Sequence, residues 1–220
     1  MPLVIVNRGG NRESGKLSPQ DFYYFYPFIT NGFVVIGSQY RGVDGGEGRE
    51  EFGGADVNDI LNLIPLARSL GYVDMNNVFM VGASRGTMMT FQAIKRGIPV
   101  NAAAAWGSVP DYRNRGKRHA ALIEEVFRPL IPDFDKNPEE ALKARSAIEW
   151  ADKINVPLFL AQGGADWRSG VTPVLEFGQK LQSLGKTYEL IVYAGDDHGI
   201  YHNRADRERR TIEWFKKHSK

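Results

Sequence analysis

Short apolar runs alternate with amphipathic helical patterns along most of this chain of 220 residues. Six of the runs have the length and the branched or small side chains of strands that are buried on both faces. They lie at residues 3–6, 33–37, 78–82, 102–106, 157–161 and 188–193. Patterns with an apolar residue every three or four positions lie at residues 18–29, 56–70, 85–96, 171–184 and 204–217. This alternation predicts an α/β fold, a mostly parallel sheet of about six strands with helices on both faces.

A long segment, residues 107–150, interrupts the alternation. It begins with a polar stretch that carries four basic side chains, Arg113, Arg115, Lys117 and Arg118. Because loops at the carboxyl edge of a parallel sheet commonly build binding pockets, we predict a lid-like insertion within one domain that spans residues 1–220. Its basic side chains are more typical of a solvated face than of a site for a substrate carboxylate.

Composition excludes several classes of function. The chain has no cysteine, so it has neither a thiol nucleophile nor a cysteine zinc site, and we expect no metal or other cofactor. Its formal net charge of +2 gives no field that favours nucleic acid or an acidic membrane surface. No apolar run approaches the ~18 residues of a membrane-spanning helix, and no signal peptide is visible, so we expect a cytoplasmic protein.

One motif lies where a predicted strand runs directly into a helix, at Gly82-Ala83-Ser84-Arg85-Gly86. A tight turn between strand and helix needs glycine two residues on either side of the serine, and it exposes the hydroxyl above the sheet. The helix N-terminus and the amide of Arg85 suit an oxyanion that forms beside Ser84. The motif therefore predicts a nucleophilic serine.

A serine nucleophile needs a histidine base and a carboxylate that orients the base. Of the four histidines, one lies in the insertion and one at the end of the last helix, which leaves His198 and His202. His198 follows the last predicted strand by five residues and is the first candidate, with His202 as the alternative. Asp166 follows the strand before it. The chain order Ser84, Asp166, His198 is that of α/β-hydrolases, so these three residues are the predicted triad.

A second oxyanion donor is expected in the loop after the first strand, at Arg8, Gly9 and Gly10. Glycines there allow the backbone to approach a substrate carbonyl, whereas for Arg8 a salt bridge and a substrate contact stay equally open. The glycine-rich segment 42–54 is a further candidate binding loop, although it lacks the spacing of a dinucleotide site. Asp56, just after it, is read first as a residue that starts a helix.

Together, these motifs resemble the catalytic domain of the prolyl oligopeptidase family. The resemblance rests on NRGGN at 7–11, the glycine-rich segment at 38–59, GASRG at 82–86, ARSAIEWADKIN at 144–155, GGADWR at 163–168 and GDDHG at 195–199. It implies a serine hydrolase with Ser84, Asp166 and His198 as its triad, which acts on peptides, or on small esters, through an acyl-enzyme. Arg8 departs from the pattern, because relatives often carry Tyr or His beside the glycines.

Three functions follow from this resemblance. A serine peptidase of the prolyl oligopeptidase type is the first, and a small-molecule carboxylesterase or a catalytically silent binding protein of the same fold are the alternatives. A dienelactone-hydrolase type of enzyme usually has a cysteine nucleophile, which this chain lacks. The expected partner is therefore a small peptide or ester substrate.

The resemblance also predicts an open sheet edge. In α/β-hydrolases the loop with the second oxyanion donor follows the third strand, whereas here it follows the first. We therefore expect a fold that is shortened at its N-terminus, with strand 33–37 as an apolar edge. Because exposed edges pair readily with other strands, this predicts either a truncated gene product or a homodimer that covers the edge.

Overall fold

A parallel sheet of six strands forms the centre of the computed structural model, which describes residues 1–113 and 116–220. The strands are β1 (Leu3–Asn7), β2 (Val34–Gly37), β3 (Val78–Ala83), β4 (Ala102–Trp106), β5 (Leu158–Gly163) and β6 (Tyr188–Tyr193). Their spatial order is β2-β1-β3-β4-β5-β6, and each neighbouring pair is parallel. The predicted α/β class and six-stranded sheet are confirmed.

Helices cover both faces of this sheet. They are α1 (Phe22–Thr30), α2 (Val57–Leu61), α3 (Leu63–Ser69), α4 (Arg85–Lys95), α5 (His119–Leu122), α6 (Arg128–Leu130), α7 (Pro138–Arg145), α8 (Thr172–Ser183) and α9 (Arg204–Lys217). Buried residues of α2, α3, α4 and α8 belong to one hydrophobic core, and buried residues of α1 and α9 belong to the other. The side chains of the central strands β1, β3, β4 and β5 therefore lie between two helix layers, which explains why these strands are apolar at almost every position.

Strand β1 illustrates how one sequence serves both cores. All five of its residues are buried. Leu3 and Ile5 belong to the core on the α4 side, while Val4 and Val6 belong to the core on the α9 side. On the α9 side, the rings of Phe79 and Phe215 stack with their centres 4.8 Å apart. Alternate side chains of one strand thus bind the two helix layers together.

The prediction of one continuous helix at 56–70 is wrong. The pattern at 56–70 predicts a single helix, but the structure has α2 and α3 with Asn62 between them. The physical reason lies at Pro65, which has no backbone N–H to donate to the carbonyl of Leu61. The apolar spacing continues across the break because both short helices bury the same side.

The segment 107–150 packs on the core on the α4 side. It contains α5, a π-helical turn at Ile123–Phe127, α6 and α7. Phe127, Leu130 and Phe134 are buried in that core, so the segment is anchored by apolar contacts. Of the basic side chains singled out above, Arg115 and the side chain of Lys117 lie outside the described part of the chain. That the segment acts as a lid, within a single domain, stays a prediction.

Strand β2 lies at one edge of the sheet, as the sequence predicts. Its three apolar residues, Val34 to Ile36, are half-buried against the neighbouring helices. Pairing of this edge with a second copy of the chain stays a prediction, as does a cytoplasmic location. Within the described residues, no helix is both long enough and apolar enough to cross a membrane.

Two leucines of α8 test which side of this helix faces the core. The exposed fraction of Leu181 is 0%, whereas that of Leu175 is 49%. We expect Leu181→Ala to lower the free energy of unfolding by about 2–5 kcal/mol, because it leaves a cavity in the core. Leu175→Ala is the matched control and is expected to change it by about 0.5 kcal/mol or less. Urea unfolding followed by circular dichroism measures both, and equal losses would contradict the packing of α8.

Candidate active site

Ser84 occupies the turn between β3 and α4 in a conformation that few residues other than glycine adopt. Its backbone has φ 55° and ψ −122°. The amide of Ser84 donates to the carbonyl of Trp106 at 2.9 Å, and its carbonyl accepts from the amide of Thr87 at 2.9 Å. These bonds hold the strained turn, which costs of order 1–3 kcal/mol and is a common property of functional sites.

The two glycines of the motif are required by close backbone contacts. A Cβ atom on Gly86 would lie 1.9 Å from the carbonyl oxygen of Asn7, and one on Gly82 would lie 2.3 Å from the carbonyl oxygen of Gly86. Any side chain at either position would push α4 away from the sheet. The tight elbow that the sequence predicts is therefore present.

The structure brings the three predicted triad residues into one chain of contacts. His198 Nε2 lies 2.8 Å from Ser84 Oγ, and His198 Nδ1 lies 2.8 Å from Asp166 Oδ2. The elements that supply them are the β3–α4 turn, the loop after β5 and the loop after β6. All three loops lie at the carboxyl ends of parallel strands, where the topology places binding sites.

The Asp166 carboxylate lies in a dense set of hydrogen bonds. Its Oδ1 accepts from the backbone amides of Arg168 at 2.8 Å and Ser169 at 3.0 Å. Its Oδ2 accepts from Gln162 Nε2 at 2.6 Å and from the Ser169 hydroxyl, in addition to its contact with His198. Burial alone would raise the pKa of Asp166, but the bonds from His198 and Ser169 outweigh it and hold the pKa far below its usual range. The carboxylate therefore stays ionised at neutral pH.

The second histidine of this loop lies away from the serine. The side chain of His202 is 85% exposed, and its Nδ1 lies 3.4 Å from Asp196 Oδ1. Asp196 itself is buried and organises the loop, because it accepts from the amides of Asp197 at 3.0 Å and Asn203 at 2.9 Å. Although burial raises the pKa of Asp196, its bonds to Asn203 and the loop amides lower it to about 2.

The predicted oxyanion loop passes directly beside the serine. A Cβ atom on Gly9 would lie 3.1 Å from the Cβ of Ser84 and 3.0 Å from the carbonyl oxygen of Ala83. Gly10 has φ +68°, and a Cβ there would lie 2.1 Å from the carbonyl oxygen of Ser14. Only glycine fits at position 10, and a side chain at position 9 would make a tight contact with the β3–α4 turn. The loop thereby brings its backbone close to Ser84. The amide of Arg85, the next residue in the chain, also lies beside Ser84.

The Arg85 side chain is buried in a network of charges rather than extended into solvent. It forms ion pairs with Glu50 and, at 2.6 Å, with Asp56 Oδ2. Its Nη1 also donates to the carbonyl of Gly10 at 3.1 Å. The guanidinium carbon lies 4.7 Å from the ring centre of Phe52. One side chain thus connects the helix that follows Ser84 to the loop at Gly9 and Gly10.

Arg8 is engaged within the same loop. Its Nε donates to the carbonyl of Gln39 at 2.9 Å, and its Nη2 donates to that of Arg12 at 3.1 Å. Its Nη1 donates to the carbonyl of Gly9 at 3.1 Å, and the side chain lies 3.9 Å from Glu50. These contacts occupy the Arg8 guanidinium and hold the loop in shape. They favour a salt bridge within the protein over a contact with substrate as the role of Arg8.

Several residues that support the site escaped sequence reasoning. Asp56 reads as a residue that starts α2, yet it is fully buried and binds Arg85 as well as the amide of Gly53 at 2.9 Å. Glu50 lies in the glycine-rich segment 42–54, which thus supplies a carboxylate to Arg85. Nothing in the sequence distinguishes Glu50 from the other acidic residues of this segment.

A cavity of about 250 Å³ opens beside Ser84 and His198. Its apolar wall is formed by Phe52, Val109, Tyr112, Leu122 and Val126. Four of these five come from the segment 107–150, which therefore forms much of the pocket wall. Within the described residues, no group of three or more His, Asp or Glu side chains could hold a metal ion.

Comparison with protein families and curated proteins supports the resemblance seen in the sequence. The model of the prolyl oligopeptidase family matches residues 19–220. An uncharacterized peptidase of Bacillus subtilis, YtmA, is 27% identical over 216 residues, which is 95% of this chain and 80% of that protein. Acylamino-acid-releasing enzyme 1 of rice is 26% identical over 99% of this chain but only 30% of its own length.

Solved structures share the fold at low sequence identity. An acylaminoacyl peptidase of Pyrococcus horikoshii superposes with a TM-score of 0.81 at 20% identity, and it covers all of this chain and 37% of its own. A puromycin-hydrolyzing peptidase of Mycobacterium tuberculosis gives 0.75 at 24% identity, with 96% and 32% covered. The chain thus spans about a third of these structures. The α/β-hydrolase fold is confirmed, and the chain belongs to the prolyl oligopeptidase family of serine peptidases.

Proposed function

We propose that this chain hydrolyses short peptides through an acyl-enzyme on Ser84, with His198 as the base and Asp166 as the residue that orients it. The observation that carries the proposal is the continuous line of contacts from Ser84 Oγ through His198 to Asp166, with both distances at 2.8 Å. A serine hydroxyl is a weak nucleophile, and this arrangement is the one that activates it.

In the proposed reaction His198 Nε2 takes the proton of Ser84 as the serine oxygen attacks the acyl carbonyl. The same nitrogen then gives that proton to the leaving amine as the bond to it breaks. Asp166, whose pKa is held low, remains an anion and stabilises the charged imidazole in its correct orientation. Water then attacks the acyl-enzyme with His198 again as base, and the acid product leaves.

The oxyanion of the tetrahedral intermediate would bind to backbone amides. The amide of Arg85 stands at the N-terminus of α4, where the helix dipole also favours negative charge. The second donor would come from the amide of Gly9 or Gly10, which the loop brings beside Ser84. The hydrogen bond from Arg85 Nη1 to the Gly10 carbonyl supports this role, because it fixes the loop relative to the helix.

The relatives suggest which peptides to test. Three plant relatives are named acylamino-acid-releasing enzymes, and the Bacillus relative is named a peptidase. The cavity of about 250 Å³ beside Ser84 has both apolar and polar walls, as a site for part of a short peptide needs. We therefore place short peptides with a blocked N-terminus ahead of small esters.

Covalent labelling tests the nucleophile and the base together. A fluorophosphonate is expected to modify Ser84, which mass spectrometry of the digested protein would locate. His198→Ala should abolish labelling and lower hydrolysis by about 10³-fold or more, because the serine loses its base. His202→Ala is the matched control and should retain both. An unlabelled Ser84 in folded protein would indicate a silent binding protein, and loss of labelling in His202→Ala alone would reassign the base.

Matched substrates decide between peptidase and esterase. We expect the chain to cleave N-acetyl-alanine p-nitroanilide faster than the unblocked alanyl-proline p-nitroanilide, both measured as kcat/KM. Turnover of p-nitrophenyl acetate without turnover of either anilide would show an esterase instead. Ser84→Ala serves as the control for uncatalysed hydrolysis.

A further inference from the structure

Several basic side chains line the wall of the active-site cavity. Three arginines, Arg85, Arg118 and Arg168, line it together with His198. No aspartate or glutamate lines the cavity in the described part of the chain. A substrate that enters the cavity therefore meets arginine side chains and no carboxylate.

Arg85 and Arg118 differ in whether a carboxylate of the protein neutralises their charge. Arg85 is buried and neutralised by Glu50 and Asp56, so its guanidinium is committed to the protein. Arg118 is partly exposed, and within the described residues no carboxylate lies within salt-bridge distance of it. Its guanidinium carbon lies 5.5 Å from the centre of the Trp167 ring. The charge of Arg118 is therefore open to a ligand.

The position of Arg118 places this charge on the path of a substrate. The residue borders the cavity beside Ser84, and it also borders an outer groove of about 450 Å³ that includes Trp167 and two acidic residues, Asp111 and Glu176. Trp167 is 70% exposed, and the guanidinium carbon of Arg168 lies 5.2 Å from the centre of the same ring. Two cationic side chains thus flank one indole at the junction of cavity and groove.

We propose that Arg118 determines specificity by binding a carboxylate of the substrate. The proposal rests on the hydrolytic function proposed above. A guanidinium offers paired N–H donors that match the two oxygens of a carboxylate, and such charge-assisted bonds are among the stronger ones in proteins. A substrate with an ammonium group at this place would be repelled instead. The sequence pattern alone favours a solvated face for Arg118, and its place at the cavity mouth revises that reading.

The carboxylate could lie on either side of the bond that is cleaved, so the experiment has two arms. In the first arm, succinyl-trialanine p-nitroanilide is compared with acetyl-trialanine p-nitroanilide, which places the added carboxylate on the acyl side. In the second arm, acetyl-tetraalanine with a free C-terminus is compared with its C-terminal amide, which places it on the leaving side. The measured quantity is the ratio of kcat/KM within each pair.

We expect the anionic member to be favoured by about 10-fold to 100-fold in one arm, the range of a hydrogen bond to a charged group. Arg118→Gln should bring that ratio close to one, mainly through a loss of kcat/KM for the anionic member, while Arg118→Glu should reverse the preference. Arg128→Gln is the matched control, because Arg128 lies in the same segment, pairs with Glu124 and Asp135, and does not line the cavity.

Binding to Ser84→Ala separates this inference from the proposed function. Calorimetry with the same four compounds reads the carboxylate preference without any turnover, and melting temperatures show that each Arg118 variant is folded. A preference in binding that disappears in Arg118→Gln supports the role of Arg118 even if Ser84 proves unreactive. Equal affinity and equal kcat/KM for both members of both pairs would overturn it while leaving the hydrolytic function in place.

Discussion

The buried guanidinium of Arg85 joins the segments from which the active site is built. It belongs to the helix that follows Ser84, it binds carboxylates at positions 50 and 56, and it holds the carbonyl of Gly10. Charges removed from water are tolerated only when all of them are paired, so the three segments must meet in one arrangement. The strained turn at Ser84 depends on these contacts of Arg85. They hold α4 in place, so α4 cannot shift to relieve the strain in the turn.

The chemistry and the pocket come from different parts of the chain. The predicted triad lies on loops at the carboxyl ends of β3, β5 and β6, whereas most of the apolar wall and Arg118 belong to the segment 107–150. Sheet and loops are held by backbone hydrogen bonds and by glycines that admit no substitute. The segment is held by apolar packing through residues such as Phe127, which accepts changes in side-chain shape more readily. Selectivity can therefore vary among proteins of this fold while the reaction stays the same.

Sequence patterns predict those features that rest on local rules. The strands follow from apolar runs, the elbow follows from Gly82 and Gly86, and the positions of Asp166 and His198 follow from where strands end. Contacts between distant segments leave no such pattern. Arg85 lies 29 residues from Asp56, so a carboxylate that neutralises it looks in the sequence like an ordinary start of a helix. The break at Asn62 was not predicted because the spacing of apolar residues does not register the backbone N–H that is missing at Pro65.

Strand β4 contributes four consecutive alanines, whose side chains are small, to the two hydrophobic cores. Ala103 and Ala105 contact the core of the serine-bearing helix, and Ala102 and Ala104 contact the core of α9, which follows the histidine loop. All four alanines are fully buried between the two helix layers. Because the interior is close-packed, a larger side chain at any of these positions would displace a helix layer or its neighbours. The alanines of β4 thus constrain how far apart the helix that follows Ser84 and the helix that follows the His198 loop can lie.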